Sequence, residues 1–179
     1  MKKLIIILIS ITMNSQSIDL INPKQNIGMQ NWSIVNDDVM GGISKSNLSI
    51  NDENNLTFNG YLSLENNGGF ASTRYRFSER TLVGVKSFRI KLNGDGNIYK
   101  LRIRQNNRRA SYSADFVSAK DKWTELEILI EDFKPTWRGL TYSDYPDLDI
   151  EKISELGIQI SDKQEGEFKL EIEYIKAMY

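Results

Sequence analysis

Leu62-Ser63-Leu64-Glu65-Asn66-Asn67-Gly68-Gly69-Phe70-Ala71-Ser72-Thr73-Arg74-Tyr75-Arg76 is the stretch whose reading decides the fold. Its polar centre, Glu65 to Gly69, turns the chain, because Asn and Gly accept positive φ and leave backbone N–H groups free. From Phe70 the pattern has period two. Ala71, Thr73 and Tyr75 fall on one face, and Phe70, Ser72, Arg74 and Arg76 on the other. A polar corner feeding a one-sided strand is the unit of an antiparallel sheet.

The same unit recurs outward from this stretch. Trp32–Val35 reads as a short strand, Asn36–Gly42 as a turn, and Ile43–Ile50 and Leu56–Leu64 as strands around the polar turn Asn51–Asn55. Downstream, Phe88, Ile90 and Leu92 alternate with Arg89 and Lys91, and Tyr99, Leu101 and Ile103 with Lys100, Arg102 and Arg104. Asn93-Gly94-Asp95-Gly96 between them predicts a hairpin turn. Ser111–Val117, Leu126–Ile130 and Phe168–Tyr174 add further strands. One short helix is predicted over Ile150–Leu156: Asp149 would cap it, Gly157 would close it in the left-handed region, and Ile150, Ile153 and Leu156 share a face. The pattern predicts an all-β antiparallel sandwich or jelly roll in a single domain.

Met1–Ser17 reads as a secretory signal peptide. Lys2 and Lys3 form the basic region, Leu4–Ile11 the apolar region, and Ser15-Gln16-Ser17 the small-residue cleavage site. The apolar run is too short to span a bilayer, so the mature chain, residues 18–179, is expected to carry no transmembrane segment and to work in the periplasm or outside the cell.

Composition narrows the chemistry. The 179 residues have a net charge of −1, which gives no footprint for nucleic acid. There is no Cys and no His. Thiolate nucleophiles, imidazole-based triads and soft metal sites are therefore out, and oxygen-ligated Ca²⁺ or Mg²⁺ is the natural metal choice. Asp144, Asp147 and Asp149 are weak Ca²⁺ candidates that also read as a Pro-containing loop ending in a cap. Glu65, Asp37 and Asp162 are the carboxylates a glycoside hydrolase would need to bring face to face. Arg102 and Arg104 share a strand face, with Arg108, Arg109, Arg74 and Arg76 nearby or on another strand. That face either binds an anion or is balanced by Glu across the sheet. Trp32, Trp137, Tyr142 and Tyr145 lie in or beside turns and could stack on sugars, whereas Trp123 begins a strand and reads as core.

These motifs, taken in order, resemble the complex I intermediate-associated protein 30 family. The resemblance rests on Trp32–Ser44, Gly60–Ser72, Gly94–Arg104, Ser111–Phe116, Phe133–Gly139 and Leu156–Gly166, and runs from about Asn31 to Tyr179. Where the family's first turn usually reads Asn-Asp-Gly, this chain has Asp38, which tolerates the left-handed region. The resemblance implies a galactose-binding-like β-sandwich and a non-catalytic, chaperone-like role, since mitochondrial members assist assembly of NADH:ubiquinone oxidoreductase. It implies a protein partner, no cofactor and no catalytic residues.

The binding surface expected from motif density comprises Asn36, Asp37, Met40, Gly41 and Gly42 with Glu65, Asn66, Asn67 and Gly68, joined by Arg102, Arg104 and Arg138. The alternatives are an exported carbohydrate-binding module, which needs exposed coplanar rings in a groove, and a carboxylate-dependent glycoside hydrolase.

Overall fold

A computed structural model describes residues 16–179. The signal-peptide reading therefore lies almost wholly outside the described residues; of it, only Gln16 and Ser17 are seen. Thirteen strands form: Ser17–Ile21 (β1), Trp32–Asn36 (β2), Lys45–Ile50 (β3), Leu56–Leu62 (β4), Ala71–Arg76 (β5), Ser87–Asn93 (β6) and Ile98–Gln105 (β7). They continue as Ser111–Val117 (β8), Trp123–Leu129 (β9), Lys134–Trp137 (β10), Leu140–Thr141 (β11), Ile153–Ile160 (β12) and Gly166–Met178 (β13).

They make two antiparallel sheets. One has six strands in the order β3-β4-β13-β6-β9, with β1 paired to the far end of β13; the other has seven, β11-β10-β8-β7-β12-β5-β2. Period-two sequences dictate this. In β7, Tyr99, Leu101 and Ile103 are fully buried while Lys100, Arg102 and Arg104 face away from the core. The opposite sheet contributes Phe58, Phe88, Ile90, Leu170 and Ile172 to the same core. Phe58 and Phe168 pack with ring centroids 5.0 Å apart. At about 25 cal/mol per Å² of apolar area, this shared core supplies the main drive for the two sheets to stack.

Two local expectations are corrected. Asn93–Gly96 is not a hairpin turn: β6 belongs to the six-stranded sheet and β7 to the seven-stranded one, so the turn carries the chain between sheets. Asp95 fixes that crossing. Its carboxylate accepts from the Tyr99 hydroxyl (2.9 Å), the Lys169 amide (2.8 Å) and the Asn97 amide (3.0 Å). Local turn chemistry marks a reversal but does not say which sheet receives the next strand.

The helix over 150–156 is also absent. Asp149 does accept from the Glu151 amide, but it caps only a 3-10 turn, Ile150–Lys152, after which the chain is β12. A register shift between Ile153 and Glu155 is a bulge in the β12–β7 ladder. The extra residue puts Ile153 and Leu156 into the core three positions apart, which in sequence imitates a helical face. Gly157 is extended within β12, and a Cβ there would lie 2.6 Å from the Thr73 carbonyl oxygen. Gly157→Ala should therefore destabilise the fold by about 2 kcal/mol through overpacking, read as a lower urea midpoint at unchanged slope.

Candidate functional site

The two turns between β2 and β3 and between β4 and β5 meet around one carboxylate. Asn36 ends β2, and Asp37 opens a 3-10 turn, Asp37–Met40, closed by Gly41 at φ 93°. Asp38 needs no left-handed backbone, because Gly41 supplies the positive φ. In the second turn that conformation falls to Asn66, Asn67 and Gly69. Asp37 is fully buried. Its Oδ1 accepts from the Ser44 amide (2.9 Å), and its Oδ2 from the Ser44 hydroxyl (2.5 Å), the Gly69 amide (2.6 Å) and the Phe70 amide (3.3 Å). Burial works to raise its pKa, but the donated hydrogen bonds outweigh that and hold it below the ordinary carboxylate range. The glycines make room: a Cβ on Gly42 would fall 2.3 Å from Asp37 Cγ, and one on Gly68 would fall 2.6 Å from Asp37 Oδ2. Asn36 is also engaged, its Oδ1 accepting from the Ser46 hydroxyl at 2.7 Å.

These turns form one wall of a cleft of about 490 Å³ on the outer face of the seven-stranded sheet. Met40, Leu64, Gly68, Gly69 and Phe70 make that wall. The opposite wall is the β10–β11 hairpin, whose two-residue turn places Arg138 at φ 51° and Gly139 at φ 77°. Both residues at positive φ is the geometry that matches strand twist, although Arg138, unlike Gly, is strained there by about 1 kcal/mol. Outward side chains of β5, β7, β8 and β12 form the floor: Arg74, Lys100, Arg102, Ser113 and Gln159. Ser161, Asp162 and Lys163 close one end.

The expected surface residues thus divide. Met40, Gly68, Arg102 and Arg138 line the cleft. Asp37 is buried beneath the wall, Asn36 is held against Ser46, and Gly41, Gly42, Glu65, Asn66 and Asn67 build the turns without lining the cleft. Arg104 lies beside it, its Nη1 3.7 Å from Glu155. Glu155, itself buried, also meets Arg74 at 3.8 Å and Arg76 at 3.2 Å, so part of the basic face is balanced by Glu across the sheet. Arg102 differs: it donates to Gln159 Oε1 and to Ser111 Oγ, both at 2.7 Å, and no carboxylate among the described residues lies within 4.0 Å of it.

Of the aromatic candidates, Trp137 alone lines the cleft, with the guanidinium carbons of Arg109 and Arg138 each 4.8 Å from its ring centroid. Trp32 packs on Tyr75 at 5.2 Å and donates to the Gly28 carbonyl. The Tyr145 hydroxyl accepts from the Ala110 amide, and Tyr142 and Tyr145 are tilted by 49°. Trp123 begins β9 half-buried, outside the main core cluster. Asp149 is committed to its cap and to Lys152, and among the described residues no three acids gather as a metal site. Asp162 is the one carboxylate among the described residues that lines the cleft, and it is paired with Lys100 at 2.7 Å.

Sequence reasoning missed Lys100, Gln159, Thr136 and Lys163. The alternation around Lys100 was the available signal, whereas Gln159 becomes visible only once β12 is read as a strand.

The Asp37 geometry carries a stability prediction. Asp37→Asn keeps the size but sets an amide N–H₂ against donors, and should cost about 3 kcal/mol at neutral pH. Because the folded carboxyl titrates below the ordinary Asp value of 3.8, its stabilisation is complete above that value. It is lost as pH falls through the lowered folded value. Denaturant melts across the acid limb should show wild type and variant converging only there.

The Family 11 carbohydrate-binding module of the cellulosomal cellulase Lic26A-Cel5E of Clostridium thermocellum superposes with a TM-score of 0.65 at 13% identity, covering 91% of this chain and 93% of that one. The same module in complex with a β-1,3-1,4-mixed-linked tetrasaccharide gives 0.60 at 13%, over 84% and 89%. The agarase AgWH50C gives 0.62 at 10%, over 91% of this chain but 24% of that one. These likenesses establish a galactose-binding-like jelly roll. No curated protein matches in sequence. A family model described as complex I intermediate-associated protein 30 matches residues 21–172, and the chain belongs to that family.

Proposed function

We propose that this protein is a non-catalytic binding domain that lays a saccharide chain along the cleft of its seven-stranded sheet. The observation that carries the reading is the cleft itself. It combines two aromatic rings, Phe70 on one wall and Trp137 on the other, with a floor of amide, hydroxyl and guanidinium groups. That is the mixture a sugar needs, an apolar face to stack on and fixed polar partners for its hydroxyls. The module that holds a mixed-linked tetrasaccharide has the same fold, which supports the reading at the level of architecture. Among the described residues Asp162 is the one carboxylate on the cleft wall, it is paired to Lys100, and no second carboxylate stands opposite it as a glycoside hydrolase needs.

A protein partner, in line with the family description, is the second reading. Its specific support is an apolar rim: Val39 is 67% exposed and Leu140 63%, with Met40 and Ile43 also exposed. We also propose export, on the pattern of Met1–Ser17. Cell fractionation should place the protein in the envelope or medium with its N-terminus near Ile18. Recovery of full-length protein in the cytoplasm would remove that reading.

Affinity gel electrophoresis in soluble neutral and acidic polysaccharides tests the main proposal. At least one should retard the protein. Trp137→Ala should weaken that interaction by about tenfold, or 1.4 kcal/mol, while leaving the melting curve nearly unchanged. If no polysaccharide retards the wild type, and envelope pull-downs instead recover respiratory subunits in a manner sensitive to Val39→Asp, the protein-partner reading stands.

A further inference from the structure

We propose that the cleft selects an acidic saccharide, seating a uronate carboxylate on the Arg102 guanidinium; this rests on the cleft being the saccharide site. The argument begins with register. On the outer face, Arg102 in β7 and Arg74 in β5 flank Gly157 in β12. Glycine puts no side chain between them, so the two cationic side chains share one opening at the floor.

Their charges are not balanced alike. Glu155, one outward position along β12, serves Arg74, Arg76 and Arg104. Arg102 receives only the neutral Gln159 amide oxygen and Ser111 hydroxyl. Guanidinium has five N–H donors, and these contacts use two. The remaining donors belong to a group whose burial, reinforced by the charges of Arg74 and Arg104 and only partly offset by the more distant Glu155, pushes its pKa down to about 10. It stays cationic at neutral pH, half-buried at the floor of the cleft.

A charge held in this way is costly unless something anionic completes it. The rest of the lining adds to the demand. Among the described residues lining the cleft, Arg74, Lys100, Arg138 and Lys163 join Arg102 against Asp162. Among the described residues, Arg138 and Lys163 have no acid within 4.0 Å, while Lys100 is held by both Asp115 and Asp162. A neutral sugar offers only hydroxyl dipoles to this field. A planar carboxylate matches the guanidinium fork and can accept two parallel hydrogen bonds. Trp137 lines the same cleft, its ring approached by the Arg109 and Arg138 guanidinium groups, so the aromatic wall itself carries positive charge towards the acid.

The test is calorimetric titration of the full mature chain with tetragalacturonate and with a mixed-linked glucan tetrasaccharide. In about 0.05 M NaCl, the uronate should bind about tenfold tighter or better, and that preference should shrink as salt rises to about 0.5 M. Arg102→Met should abolish the preference. Arg138→Asn should reduce it by about threefold, and its fold is secure because Asn tolerates the left-handed turn position. Equal affinity for the two tetrasaccharides overturns the anion inference and leaves the saccharide cleft standing. Binding of neither removes the saccharide reading as well. A preference that survives both salt and Arg138→Asn overturns the inference even if Arg102→Met does not fold.

Discussion

The buried Asp37 carboxylate is the constraint on which the site depends. It ties the β2–β3 turn, through Ser44, to the β4–β5 turn, through the Gly69 and Phe70 amides. The first turn leads from the seven-stranded sheet into the six-stranded one, and the second leads back. One carboxylate therefore joins two crossings and fixes a corner of the sandwich. That corner is also a wall of the cleft, so the position of Met40, Gly68 and Phe70 relative to the floor follows from hydrogen bonds made below the surface. Gly42 and Gly68 are required because the carboxylate occupies the space their side chains would fill.

The floor obeys a different logic. Alternation in β5, β7 and β12 sends apolar residues to the core and delivers Arg74, Arg76, Arg102, Arg104, Glu155 and Gln159 to the opposite face. Charge on that face is partitioned by register. Glu155 balances one end, and Gly157 leaves a gap at the next outward position, where Arg102 keeps neutral partners. Structure and electrostatics are thus separable here: Asp37 shapes the wall, and the arginines set what the floor attracts.

Much of the fold was legible in the residues. Period-two strands such as Phe88–Leu92 and Tyr99–Ile103 identify themselves, and the Asn- and Gly-rich turns announce positive φ. What failed was long-range. Asn93–Gly96 has the composition of a hairpin, yet sheet membership is decided by where the next strand's apolar face finds partners. Ile150–Leu156 has helical spacing, yet a bulge in a strand buried between two others produces the same interval. For the site, Arg102 was visible through alternation, and the two turns through their motif density. That Asp37 is buried while Met40 faces the cleft was not visible, because the two differ by three positions in one turn and nothing local states which way each points. The β10–β11 wall was hidden as well, since Arg138-Gly139 lacks the Asn or Asp that usually marks such a turn.

The acidic saccharide we propose would sit in the cleft above Arg102. The most direct measurement is an amide-shift titration of the isotopically labelled protein with tetragalacturonate. The account predicts saturable shifts that converge on Arg74, Arg102, Trp137 and Lys163, with the Arg102 side-chain Nε–H among the most displaced. Saturable shifts confined to another face of the sandwich, or none along the cleft at saturating ligand, would contradict it.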